Sequence, residues 1–119
     1  MKYALMVYGD QSAWEQMSEE EAKASRAESM PKWIALFEEM GRLDPNVAGK
    51  ELDSATTAKT VRVRDGETLI SDGPFAETKE QIGGIFLTDL PDLDTAIAIA
   101  TKIPVAEHGS IEVRPVVEH

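Results

Sequence analysis

The sequence contains no cysteine in 119 residues. That excludes disulfides and thiolate zinc sites, and it fits a reducing cytosol, so a cytoplasmic location is expected. Lys and Arg are also scarce, 12 against 22 Asp and Glu, for a net charge of −10. Nucleic acid rewards clustered cations, so it is not an expected partner. Long hydrophobic runs are missing too. The apolar start, residues 1–8, is too short for a signal peptide or a membrane span. There are no repeats, no low-complexity tract and no linker. The two histidines, His108 and His119, have no convergent metal spacing. No phosphate loop, dinucleotide fingerprint or nucleophile elbow is present, and no cofactor is expected.

What remains is a globular composition, 42% hydrophobic, at the length of one domain spanning 1–119. Lys2–Tyr8 alternates, with Tyr3, Leu5 and Val7 on one face and Ala4, Met6 and Tyr8 on the other. Both sets are apolar, which predicts a central strand covered on two sides. Ser18 followed by Glu21 predicts a capped helix start. Met30, Trp33, Ile34, Phe37 and Met40 make its apolar stripe, Gly41 its end, and Pro31 a kink or a break. Asp65-Gly66 predicts a two-residue hairpin turn with Arg64 opposite Glu67 and Val61 opposite Ile70. Gly84–Asp89 reads as a strand, Asp92 as the cap of a second helix, and Ser110–Val117 as the last strand. Leu93, Ala96, Ile97, Ala100 and Ile103 are the expected face of that helix, and Pro104 stops it. This order argues an α+β domain with helices on one face of an antiparallel sheet.

The densest cluster of special residues is Ser71–Gly84. Asp72 suits a turn, Gly73 precedes Pro74, and Phe75 is expected to anchor the loop in the core. Gly83-Gly84 predicts a bulge or a close backbone approach. Asp72, Lys79 and Glu80 are the catalytic candidates, because a carboxylate beside an ammonium can act as a general base. A structured turn with surface ion pairs accounts for the same residues. Arg62 and Arg114 can hold a carboxylate or phosphate, or simply pair with Glu67 and Glu112. Tyr8 is a candidate proton donor and His108 a candidate acid–base group, against packed-strand and solvated-loop readings. His119, the terminal residue, is set aside.

Asp72-Gly73-Pro74-Phe75 followed by Ala76-Glu77-Thr78-Lys79-Glu80 resembles the signature of the DGPF group of YCII-related proteins. The likeness extends to Met1-Lys2-Tyr3, to the Thr60–Gly66 hairpin, to Leu90–Asp94 and to Ile111–Pro115. It implies a ferredoxin-like antiparallel sheet with two main helices on one face, pairing as a dimeric α+β barrel. It also implies genes that often neighbour those of alternative sigma factors. The YciI-like branch has a suggested histidine–aspartate pair. Residues 10–41 hold no histidine here, so that pair is not carried over. Two functions are compatible: a metal-independent proton-transfer enzyme for a small molecule, of lyase, isomerase or dehalogenase type, or a non-catalytic ligand-binding or regulatory module. Because helices cover only one sheet face, a homodimer is expected to cover the other.

Overall fold

The alternation of the first strand decides the layering. In the computed structural model, which describes residues 1–119, β1 (Lys2–Gly9) buries Tyr3, Leu5 and Val7 and leaves Ala4, Met6 and Tyr8 only partly covered. β1 is an inner strand. Its neighbours are β5 (Gln81–Asp89) and β6 (Ser110–Pro115), both antiparallel, and β2 (Ala48–Glu51) extends the sheet beyond β5. The order β2-β5-β1-β6 is ferredoxin-like.

Two helices cover the Tyr3–Leu5–Val7 face. α2 (Glu19–Leu43) begins at Ser18, whose hydroxyl accepts the Glu21 backbone N–H at 3.1 Å. Glu19, Glu20 and Glu21 then face the positive end of the helix dipole. α3 (Leu93–Thr101) begins at Asp92, which accepts from the Thr95 backbone N–H at 2.8 Å. Pro104 ends it, opening the 3-10 turn Pro104–Glu107. A short helix, α1 (Gln11–Glu15), follows β1 and is capped by Asp10; the sequence offered no periodicity for it.

The core joins Tyr3, Leu5 and Val7 to Leu36, Met40, Ala96, Ile99 and Ile103. Burying an aliphatic or aromatic side chain of this kind contributes about 1.5–3 kcal/mol each. Several expectations need correction. α2 is one uninterrupted helix through Pro31, and it runs past Gly41 to a cap at Asp44. Pro31 sits where the helix surface is exposed, so its lost donor is tolerated. Met30, Ile34 and Phe37 stay about half exposed, and Leu36 takes the buried position instead. In α3, Ile99 is buried while Leu93 and Ile97 are open. The periodicity located both helices, but their rotation was set by the sheet beneath them.

The predicted hairpin stands apart from this sheet. β3 (Lys59–Arg64) and β4 (Glu67–Asp72) pair only with each other, with Arg64 opposite Glu67 and Val61 opposite Ile70. Asp65 and Gly66 both have positive φ, 50° and 77°, as a type I′ turn requires. No helix in the chain is long and apolar enough to cross a membrane.

Candidate functional site

Cross-strand register sorts the polar side chains onto the face that the helices do not cover. Tyr8 lies opposite Ser110, and Met6 opposite Glu112, so these residues share that face with Arg114. Alternation along β1 delivers Tyr8 there, and a bulge in the facing strand β5 falls opposite Val7 and Tyr8. Val7 pairs with Gly84 and Tyr8 with Ile82, leaving Gly83 as the extra residue, as the glycine pair predicted. The start of β6 is held close to β1, because a Cβ at Gly109 would overlap the Tyr8 carbonyl oxygen.

The side chains there form two hydrogen-bonded groups, Tyr8–Glu112–Arg114 and Ser110–Glu80. The Tyr8 hydroxyl donates to Glu112 Oε1 at 3.4 Å. The other Glu112 oxygen pairs with the Arg114 guanidinium. Ser110 Oγ donates to Glu80 Oε1 at 2.8 Å. Tyr8, Glu80 and Glu112 are partly buried, whereas Arg114 is exposed. Met6, Ile85 and Ile82 provide an apolar floor beside them. No group of three His, Asp or Glu side chains converges to hold a metal ion. The set offers a hydroxyl donor, two carboxylates and a cation on one solvent-reachable surface.

Of the residues singled out from sequence, the structure gathers Tyr8, Glu80 and Arg114. Glu112 joins Tyr8 to Arg114, as the expected Arg114–Glu112 pair allowed, and Glu80 bonds Ser110, the cross-strand neighbour of Tyr8 that only the strand register could reveal. It does not gather the others. Asp72 forms an ion pair with Lys59 at the base of the hairpin. Arg62 lies on the hairpin without an ion pair. Lys79 is exposed, and its charge is the smallest contributor holding the Asp10 carboxyl below its ordinary value. The Ser12 hydroxyl and N–H contribute most there. His108 is an exposed loop residue.

The Asp72–Glu80 loop is built differently from expectation. Gly73 has φ +89°, a conformation that favours glycine, and its N–H donates to the Ala58 carbonyl at 2.7 Å. Thr60 Oγ1 donates to the Gly73 carbonyl at 2.8 Å. The Gln81 amide donates to the carbonyls of Ala76 and Thr78 at 3.0 and 3.1 Å. Hydrogen bonds to the loop's backbone, from the Thr60 and Gln81 side chains and with Ala58, therefore hold it, and Phe75 is not its anchor: the ring is 81% exposed. The core is already closed by β1, α2 and α3, and the loop runs over the surface beyond it.

The sequence missed one buried carboxylate. Asp44 accepts from the N–H groups of Asp89 at 2.8 Å and Asn46 at 2.9 Å, and from the Thr88 hydroxyl at 3.4 Å. These bonds, the one from Asp89 first, hold its carboxyl below the usual range. It ties the end of α2 to β5 and is structural. The Asp44-Pro45-Asn46 turn pattern was the available signal.

A family model for the YCII-related domain matches residues 1–119. The chain belongs to the YCII-related family. The chain is also similar to an uncharacterised protein of Rhizobium meliloti (strain 1021), 40% identical over 120 residues. That match covers 97% of this chain and 91% of the relative.

Proposed function

We infer that this YCII-related protein is a metal-independent enzyme that moves a proton on a small polar molecule, working as a cytoplasmic homodimer. The observation that carries the reading is the convergence of Tyr8, Glu80, Ser110, Glu112 and Arg114 on the uncovered sheet face. A substrate lying on Met6 and Ile85 would present an acidic C–H to Glu112. The proton passes to the carboxylate, and the electron pair moves onto a neighbouring carbonyl oxygen of the substrate. The Tyr8 hydroxyl donates to that oxygen, and Arg114 offsets the added negative charge. Glu112 then returns the proton, or a leaving group departs. A second copy stacked on this face would exclude water from the step.

The test is deuterium incorporation from D2O into a panel of small carbonyl and hydroxy acids, followed by NMR. The wild-type protein should exchange a substrate proton, and Glu112→Gln should lose about 10²–10⁴-fold in rate. Exchange that is equal in wild type, Glu112→Gln and Tyr8→Phe sinks the reading.

One observation favours the non-catalytic alternative, a ligand-binding or regulatory module linked to an alternative sigma factor. Glu112 already holds Arg114, and its bond from Tyr8 is long at 3.4 Å. A ligand that binds by calorimetry without being turned over, together with co-purification of a sigma factor, would establish that alternative.

A further inference from the structure

One register runs across the whole uncovered face of the sheet. Lys50 pairs with Ile85, Ile85 with Met6, and Met6 with Glu112. Directly paired residues present their side chains to the same face. These four therefore form a single row from the β2 edge of the sheet to the β6 edge. The row is charged at both ends and apolar in the middle. Leu87 opposite Ala4 extends the apolar middle by one more row.

The two ends of the row are not equivalent. At the β6 end, Arg114 is already paired with Glu112. At the β2 end, Lys50 is exposed and has no ion pair. The other lysine of this face, Lys2, stands at its far end opposite Asp89. Lys50 is thus the uncompensated cation beside the apolar middle. The net charge of −10 repels anions overall, so an anion held on this face needs such a local cation. Neighbouring strands lie about 4.8 Å apart, so the row spans about 14 Å from β2 to β6. An anion on Lys50 and a C–H group at Glu112 therefore belong to opposite ends of one elongated molecule.

We propose that Lys50 is the anion anchor of this face and that the site takes an elongated organic acid. The carboxylate of the ligand sits on the Lys50 ammonium, its apolar chain lies over Ile85 and Met6, and its reacting end meets Glu112 and Tyr8. Lys50 thereby selects for an anionic group remote from the acidic C–H, whereas Arg114, already neutralised by Glu112, acts at the reacting end. β2 is the edge of the sheet, so the ammonium enters the row from the side, beside the second copy inferred above rather than beneath it. The reacting end rests on the proton transfer proposed above; the anchor at Lys50 does not.

Hexanoate is the probe and hexanol its uncharged control, each titrated into the full chain and followed by amide NMR. Hexanoate should shift the amide resonances of Lys50, Ile85 and Met6. Hexanol should bind about five- to tenfold more weakly, the factor expected for one partly exposed ion pair on an apolar floor. Lys50→Met should lose the same factor for hexanoate, and Lys50→Arg should keep the affinity. Both variants should melt with the wild type, because Lys50 is exposed. For any acid that the protein exchanges with solvent deuterium, Lys50→Met should raise KM and leave kcat unchanged. Equal hexanoate affinity in wild type and Lys50→Met overturns the anchor, as does equal affinity for hexanoate and hexanol. Resonance shifts confined to residues outside the row overturn it too. Deuterium exchange whose KM ignores Lys50→Met removes the anchor and leaves the reaction. Binding that depends on Lys50, without exchange of any acid, removes the reaction and upholds the anchor.

Discussion

Two stretches of this chain carry the same strand alternation and end in opposite environments. In β1, Tyr3, Leu5 and Val7 are buried beneath α2 and α3. In β3, Val61 and Val63 alternate just as regularly, yet they face solvent on a hairpin that no other element covers. Alternation reports that a face is apolar. What lies over that face is decided elsewhere: helices cover it in the first case, and no element of this chain covers it in the second.

Core truncations should open the widest gap between the two regions. Leu5→Ala or Ile99→Ala should cost about 2–5 kcal/mol, since both side chains are completely enclosed. Denaturant unfolding measures it. A loss below about 1 kcal/mol would mean that the packing around Leu5 and Ile99 is loose.

A backbone substitution at each region sharpens the contrast. Gly109→Ala forces a Cβ into the Tyr8 carbonyl oxygen, and Gly73→Val forces a β-branched residue to φ +89° at the base of the hairpin. Each should cost about 1–3 kcal/mol. The first acts on the sheet and should also disturb the Tyr8–Glu112 contact. The second acts on the hairpin and should leave that contact intact, as the Tyr8 ring resonances would report by NMR.

Acid should loosen the contacts that Asp44, Asp10 and Asp92 make at the ends of the helices. Asp44, Asp10 and Asp92 all have folded-state pKa values below the ordinary 3.8. Hydrogen bonds from Asp89, Ser12 and Thr95 respectively are the main causes. A depressed carboxylate contributes stability that is present above its unfolded pKa and lost as pH falls through its folded one. Melting temperature should therefore hold from neutral pH to about pH 4 and fall below it. Asp44→Asn should be less stable at neutral pH and flatter in acid; an unchanged acid slope would remove Asp44 from the account.

The smallest effect is expected at Phe75. Its ring is almost wholly exposed, so Phe75→Ala should change monomer stability by only about 0.5 kcal/mol or less. A loss of several kcal/mol in thermal denaturation would show the ring buried in solution, most simply against a second copy.

Much of the fold is legible in local patterns. Ser18 and Asp92 announce their helices because a side-chain oxygen bonding a free N–H is a local event. Asp65-Gly66 specifies its turn and therefore the pairing of Val61 with Ile70. Gly83-Gly84 marks its bulge. The caps and the turn depend on residues within a few positions of one another, and the glycine pair marks the bulge locally although its partner strand is distant.

The site was only half readable, for the complementary reason. Tyr8, Glu80 and Arg114 are visible as chemistry-bearing types, but nothing local ties them together. Their connection needs Tyr8 to pair with Ser110 across 102 positions and needs Glu112 to fall between Tyr8 and Arg114. Asp72 belonged to the same short motif as Glu80, yet the strand β4 carries it away to Lys59. Nearness in sequence promised a site there, and the register of the sheet dissolved it.

The sequence by itself determined the longer strands, the starts of α2 and α3, the Asp65-Gly66 turn, the two apolar faces of β1 and the hairpin's internal register, while α1, β2 and the end of α2 escaped it. Those follow from backbone dihedral preference and from hydrogen bonds closed over a few residues. Only the tertiary structure decided which stripe of α2 is buried, that Phe75 is left outside, that Asp44 braces β5, and that Tyr8, Glu112 and Arg114 meet. These outcomes depend on how distant elements are rotated and paired. Many local patterns are compatible with several such arrangements, and the packing of the whole chain selects one.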